Sequence, residues 1–215
     1  MTNEIMEDRM HRGFCFFVTL FLVPMMAHSA VMDDVDEVMK EAGVVYETSI
    51  EIPCEEEMFL KVVDDLSLAG ALWRAYGFAP SYEVSGMDDS VHVSDPTGLE
   101  GDVLLAEKSD STRVYFARGR VSHWAFPFLN SGKAVFRIVT SESDVGIEVF
   151  LVSSDLPRSM LRVVSPLIRA HIRNRLILNM ADFFIILQDI EAKPEEVANR
   201  LQGDIRRRFE ILFLK

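Results

Sequence analysis

The segment over residues 118–130 holds the densest mixture of aromatic and polar side chains in the chain, and it is the part best equipped for chemistry. It contains two guanidinium groups, at Arg118 and Arg120, and an imidazole at His123 beside the indole of Trp124. A guanidinium binds a carboxylate or phosphate through a planar set of donors, and an imidazole changes charge near neutral pH. These residue types are suited to orient a polar head group among aromatic walls.

The same residues have a purely structural interpretation, which their spacing leaves open. Arg118 and Arg120 alternate onto one strand face with Val114 and Phe116, so they reach a cavity only if that face is turned inward. On an outward face the arginines would be solvated, and His123 would be a hydrogen-bonding group in a loop. The hypothesis assigns no catalytic residue. Its candidate ligand-binding residues are Tyr115, Phe116, Arg118, Arg120, His123, Trp124, Phe126 and Phe136.

A second set of basic residues lies on predicted helices. Spacings of four, seven and four place Arg158, Arg162, Arg169 and Arg173 along one stripe, and three further arginines occupy positions 206–208. Such a stripe is either the solvated face of an amphipathic helix or an electrostatic contact with anionic lipid or an acidic partner.

Several motifs that would define an enzyme class are absent from the sequence. It contains no Gly-x-Ser-x-Gly, Walker loop, His-Glu-x-x-His or Cys-x-x-Cys pattern, so nucleophilic hydrolysis, nucleotide binding and a structural zinc site lack support. No cofactor and no metal site are predicted. The position of Cys54 at the start of a predicted helix is the only argument for a lowered thiol pKa.

The first 29 residues have the layout of a secretory signal. Basic residues at positions 9, 11 and 12 precede an apolar run over residues 13–27, and the small-x-small sequence of residues 27–29 follows. The run is shorter than the roughly 20 residues that a membrane span needs. We therefore predict a cleaved signal peptide over residues 1–29, a mature domain over residues 30–215, and a periplasmic or secreted location. An uncleaved anchor and a buried helix are the alternatives.

Charge is distributed unevenly along the 215 residues, whose net charge is −12. Residues 30–110 carry 20 acidic and 4 basic groups, whereas residues 111–215 carry 11 acidic and 16 basic groups. The acidic first half argues against nucleic acid as the main partner. Hydrophobic residues make up 49% of the chain, which is enough for one well-buried domain.

The order of predicted elements sets the architecture. A short helix over residues 31–42 and a strand over residues 44–52 come first, followed by a helical stretch over residues 55–76 that Gly70 is expected to divide. Short turns then separate six predicted strands, so neighbouring strands must be antiparallel. These strands cover residues 82–85, 90–94, 102–108, 113–122, 134–141 and 145–152.

A long amphipathic helix over residues 157–190 follows the strands, with Asp155 as its predicted N-cap. Pro166 is expected to kink or divide this helix, because proline removes a backbone donor. A further helix is predicted over residues 194–214.

This arrangement resembles the START-like, or SRPBCC, superfamily. The resemblance is carried by the strand over residues 46–53 with the helices directly after it, by the segment Tyr115-Phe-Ala-Arg-Gly-Arg120, and by the helix over residues 157–190. It covers residues 44–190 and implies an α+β helix-grip fold, in which a curved antiparallel sheet wraps around a long C-terminal helix and encloses an apolar cavity. The signal-like N-terminus and the helix after residue 194 depart from this pattern.

Three functions are consistent with these observations, because the superfamily includes carriers, cyclases, hydroxylase domains and chaperone regulators. The leading hypothesis is an exported protein that holds a hydrophobic small molecule or lipid between the sheet and the long helix. The second is a cyclase-like or hydrolase-like enzyme that uses His123, Arg118 or Tyr115 in the same cavity. The third is an interaction module whose basic helices make a peripheral membrane contact or dock an acidic partner. The sequence does not define the ligand or the oligomeric state.

Overall fold

The computed structural model describes residues 30–79, 82–87, 90–95, 98–122, 129–141 and 144–214. The described helices are α1 (residues 30–41), α2 (Glu56–Val63), α3 (Leu66–Tyr76), α4 (Arg158–Ala192), α5 (Pro194–Arg200) and α6 (Gly203–Phe213). The described strands are β1 (Val44–Glu51), β2 (Glu83–Met87), β3 (Ser90–Asp95), β4 (Leu99–Lys108), β5 (Thr112–Val121), β6 (Ser131–Thr140) and β7 (Asp144–Ser153).

The strands form one seven-stranded sheet in the order β1-β7-β6-β5-β4-β3-β2. All neighbouring strands are antiparallel, as the short turns between them require. The first strand is the exception to sequential pairing, since β1 lies against β7 and Val44 is registered with Leu151. Helices α2 and α3 fill the interval between β1 and β2.

Helices cover the concave face of the sheet and part of its convex face. On the concave face, side chains such as Ile147 and Val149 pack against α2, α3 and α4 in the largest core cluster. On the convex face, Val35 and Val38 of α1 belong to a second cluster with Val135 of β6. Ion pairs reinforce this cover, since Lys133 Nζ lies 2.6 Å from Asp34 Oδ1. An additional N-terminal helix therefore makes the outer face of the sheet partly apolar.

The break between α2 and α3 lies at Asp64 and Asp65 rather than at Gly70, where the sequence analysis expected it. The Asp65 carboxylate accepts a hydrogen bond from the Leu68 backbone N–H at 2.9 Å and caps α3. Gly70 is buried inside α3.

Helix α4 is continuous through Pro166, so the predicted division of this helix was wrong. Proline removes the hydrogen bond to the carbonyl of Arg162, and both residues are exposed, which lets water satisfy that carbonyl. The predicted cap was also wrong, because Pro157 holds the N-cap position. Asp155 Oδ2 instead accepts hydrogen bonds from the backbone N–H groups of Asn130 and Ser131.

The single helix expected over residues 194–214 is two helices, α5 and α6. They are separated at Leu201 and Gln202, and Gly203 begins α6 with a φ of 60°. Val197 and Phe209 are both fully buried in the main core. Tyr76 of α3 donates a hydrogen bond to Asp189 Oδ2 at 2.8 Å, which ties α3 to the end of α4.

These elements confirm the predicted fold class, an α+β helix-grip arrangement with a long C-terminal helix against a curved antiparallel sheet. The observed order of strands and helices is the one that the resemblance to the START-like superfamily implies. The division of the chain at residue 29 stays a prediction.

Candidate ligand-binding cavity

A cavity of about 370 Å³ lies between the concave face of the sheet and α4. Its helical wall includes Ile168, Ile172 and Leu176, and its sheet wall comes from β4 to β7. This volume falls within the range of roughly 300 to 1,000 Å³ that is typical of small-molecule sites.

A row of three glycines creates much of this space. Gly101, Gly119 and Gly132 are registered with one another across β4, β5 and β6, and all three line the cavity. The next row along the strands is also small, since it contains Ala117 and Ala134. Because these positions lack large side chains, the concave face leaves a gap under α4 where a typical sheet would be filled.

A second chamber of about 310 Å³ lies toward α2 and α3. Aromatic side chains contribute to its walls, including Phe59, Tyr115 and Phe183. The two chambers share five lining residues and so belong to one interior region: Val103, Phe136, Ile147, Leu176 and Asn179.

A polar cluster lies in the wall of the first chamber, where the second one meets it. The Tyr82 hydroxyl oxygen accepts hydrogen bonds from Asn179 Nδ2 at 2.7 Å and from Arg175 Nη2 at 3.1 Å. All three residues line the first chamber, together with His171. Two donors on consecutive turns of α4 therefore converge on one oxygen at the edge of an apolar space.

Aromatic packing fixes the position of this cluster. The ring of Tyr82 makes an edge contact with Trp73, with centroids 5.5 Å apart, and the Arg175 guanidinium lies 5.9 Å from the centroid of the Tyr82 ring. Trp73 is itself buried in α3. Helix α3 thus holds Tyr82, and Tyr82 in turn orients the guanidinium and amide of α4.

Two of the predicted site residues line the chambers. Phe136 lines both of them, and Tyr115 lines the second. The Tyr115 hydroxyl donates a hydrogen bond to the Val63 carbonyl at 2.7 Å, which joins β5 to α2. Their roles in ligand binding stay predictions.

Three other predicted residues, Phe116, Arg118 and Arg120, lie on the convex face, which is the outward of the two orientations that the sequence left open. Phe116 is buried in the cluster under α1, on the side of the sheet away from α4. Arg118 and Arg120 alternate onto the same face, and the Arg118 side chain is 70% exposed and 3.6 Å from Asp102 Oδ2. Both arginine positions also line the cavity, on either side of Gly119, and their roles in ligand binding stay predictions.

The remaining predicted residues, His123, Trp124 and Phe126, lie outside the described residues.

The polar cluster at Tyr82, Arg175 and Asn179 was not predicted from the sequence. The signal was present, since His171, Arg175 and Asn179 recur every four residues beside the apolar series that begins at Ile168. This spacing was not recognised as a site, because the arginines at other positions of α4 form a longer and more regular stripe.

Cys54 is not an activated nucleophile. Burial raises the pKa of its thiol to about 11, and the nearby carboxylate of Glu191 adds to this effect. The helix-terminus argument for a lowered pKa was therefore wrong, because burial outweighs it.

An ion pair outside the cavity fastens the α2–α3 junction to the β4–β5 hairpin. Arg113 is almost fully buried and binds both carboxylate oxygens of Asp64, which also lies 2.7 Å from Lys108 Nζ. Burial acts to raise the pKa of Asp64, but the hydrogen bonds from Arg113 and Lys108 outweigh it and hold the pKa below its usual value.

Neither a family model nor a curated protein matches this chain. Among solved structures, it is similar to a point mutant of norcoclaurine synthase from Thalictrum flavum, with 12% identity, 69% of this chain and 96% of that chain covered, and a TM-score of 0.47. It is also similar to Ara h 8.0201, with 11% identity, 66% of this chain and 93% of that chain covered, and a TM-score of 0.41. A third similar structure is XoxI from Bacillus cereus, with 16% identity, 71% of this chain and 98% of that chain covered, and a TM-score of 0.34. Similarity this low says nothing about the ligand or activity of this chain.

Within the described ranges, no helix combines the length and the apolar character needed to cross a membrane. In the same part of the chain, no three histidine, cysteine or acidic side chains come together as a metal site would require.

Proposed function

We propose that this protein binds a hydrophobic small molecule or lipid in the cavity between its sheet and α4. The observation that carries the proposal is an apolar cavity of two chambers with a pair of donors, Arg175 and Asn179, where the chambers meet. Apolar surface buried from water contributes about 25 cal/mol per Å², so a chain-like or ring-like apolar ligand gains affinity from the walls.

The ligand's polar end is a hydrogen-bond acceptor, and a carboxylate suits the cluster best. Both Arg175 and Asn179 donate to the Tyr82 oxygen, so a ligand oxygen placed beside it meets the same donors. A guanidinium-to-carboxylate hydrogen bond is charge-assisted and therefore stronger than a neutral one. Arg175 replaces Arg118 and Arg120 as the proposed head-group residue.

A displacement assay with an aromatic fluorescent probe tests this proposal. A fatty acid and the alcohol of the same chain length compete for the probe, and wild-type protein should prefer the acid. Arg175→Gln should weaken acid binding by roughly ten- to hundredfold, which corresponds to a loss of about 1.5–3 kcal/mol, and should leave alcohol binding nearly unchanged. Arg207→Gln, which changes an exposed arginine of α6 away from the cavity, is the matched control. Equal affinity of the two arginine variants for the acid would refute the role of Arg175.

Export of the protein is part of the same proposal. It is supported by the order of basic, apolar and small residues over positions 9–29. The enzyme alternative has less support, because the Tyr115 hydroxyl is bound to a backbone carbonyl and the Arg118 side chain is solvated. Loss of a measured turnover in His123→Ala would favour the enzyme.

A further inference from the structure

The outward face of α4 is apolar along most of its length. Its exposed residues, with the exposed fraction of each, are Met160 (55%), Val163 (79%), Leu167 (55%), Ile177 (55%), Leu178 (64%) and Ile185 (46%). We name these six residues the outer stripe.

The outer stripe is a single face and not a scatter of positions. At about 100° per residue, all six members fall within about 60° of Val163 around the helix axis. The buried residues Ile168 and Phe183 fall on the opposite side of α4, against the sheet and α2. Helix α4 is therefore apolar on two faces, and the cavity and core account for only one of them.

Arginines border the outer stripe on one flank. Arg162, Arg169 and Arg173 are exposed and lie at about 80° to 120° from Val163. Residues 158–181 contain five arginines and no aspartate or glutamate, in a chain whose net charge is −12. A basic stretch of α4 thus coincides with an exposed apolar face that runs along most of the same helix.

We propose that the outer stripe docks α4 on the surface of an anionic lipid bilayer. Apolar side chains enter the boundary between head groups and acyl chains while arginines on the flank contact lipid phosphates, which is how interfacial helices bind. The stripe spans about 38 Å from Met160 to Ile185, a length that a flat bilayer can cover entirely. A second copy fits less well, because packing two outer stripes together would bring the arginines on their flanks close to one another. This docking is independent of which ligand the cavity holds.

Vesicle flotation of the full chain tests the proposal. Wild-type protein should float with phosphatidylcholine vesicles that contain phosphatidylglycerol, and less with phosphatidylcholine alone. Leu167→Gln combined with Leu178→Gln should weaken partitioning by at least about tenfold, since each leucine loses the benefit of leaving water. Arg162→Gln and Arg173→Gln should each weaken it about fivefold and reduce its dependence on salt.

Control variants separate the outer stripe from the rest of the chain. Val45→Gln and Ile211→Gln alter exposed apolar residues elsewhere and should leave partitioning unchanged. Every variant keeps the apolar run over residues 13–27, so differences among them report the stripe alone. The probe-displacement assay should be unaffected by the stripe variants, which distinguishes failure of docking from failure of ligand binding.

Two outcomes would overturn the proposal. The first is equal flotation of the wild type and the double leucine variant. The second is a sedimentation result in which the wild type is a dimer and the double leucine variant is a monomer, while flotation is unchanged. This result would assign the stripe to a second copy of this chain.

Discussion

Gly101 and Gly119 face each other across β4 and β5, so closely that a Cβ atom on Gly119 would lie 2.8 Å from the Cα of Gly101. The same Cβ would also meet the carbonyl oxygen of Glu100. The two strands therefore approach at a point where only glycine fits, and this close approach forms part of the cavity wall.

Gly119→Ala should destabilise the fold by about 1–3 kcal/mol, because backbone atoms on β4 must move to admit one methyl group. Gly146→Ala is the matched control within the same sheet. Its Cβ would be 3.6 Å from the nearest atom, so its effect should stay below about 0.5 kcal/mol. Urea denaturation of the two variants measures the difference, and equal stabilities would contradict the close approach.

Ala134→Leu should fill the first chamber and block ligand binding while the protein stays folded. The added side chain projects into the space beside the glycine row, on the sheet face that looks toward α4. We expect at least a tenfold loss of probe affinity, equivalent to about 1.4 kcal/mol. Ala192→Leu at the exposed end of α4 serves as the control. Unchanged affinity in Ala134→Leu would place the ligand outside this chamber.

Leu187→Ala should destabilise the protein by about 2–5 kcal/mol, because Leu187 has no exposed surface in the main core. Leu178→Ala, nine residues earlier on the same helix, removes an identical group that is 64% exposed. That variant should change stability by less than about 0.5 kcal/mol. Thermal and urea unfolding of the pair distinguish the two faces of α4, and similar losses in both would show that the outer stripe is covered in solution.

Asp64→Asn should destabilise the protein by about 1–3 kcal/mol at neutral pH, since it leaves the buried Arg113 without its carboxylate. The folded-state pKa of Asp64 is lowered, so its stabilisation is present above the unfolded-state pKa and is lost as the pH falls through the folded-state value. The stability difference between wild type and variant should therefore shrink on acidification below about pH 4. A difference that is constant from pH 7 to pH 3 would contradict the pKa direction.

The mature protein should begin at Ala30 or a near neighbour. The basic residues, the apolar run and the small residues at positions 27 and 29 follow the order that signal peptidase recognises. N-terminal sequencing of protein recovered from its own host checks this prediction. A full-length product that stays embedded in the membrane would support the uncleaved anchor instead.

Alternation along β5 could be predicted from the sequence, but the direction of each face could not. One face carries Tyr115, Ala117 and Gly119, and the other carries Phe116 and Arg118, so both sets contain an aromatic residue. Burial normally identifies the inward set. Here α1 also buries the convex face, and the hydrophobic pattern alone could not tell the two faces apart.

The cavity itself was beyond prediction for a similar reason. Gly101, Gly119 and Gly132 are unremarkable in the sequence and form a row only when the register of three strands is known. Strand existence and helix positions were largely predicted, because they depend on local periodicity. The polar cluster was missed because Tyr82 and Arg175 are distant in the chain and meet only through tertiary packing.

The pairing of β1 with β7 sets a condition on when this chain can fold. Residues 44–51 are made early in synthesis, yet their only described neighbour strand is Asp144–Ser153. Until that strand has left the ribosome, β1 has no edge to join, and the concave face has no α4 to cover it. A chain that has not yet released β7 therefore leaves β1 unpaired and the apolar concave face uncovered, which is the state that chaperones protect from aggregation.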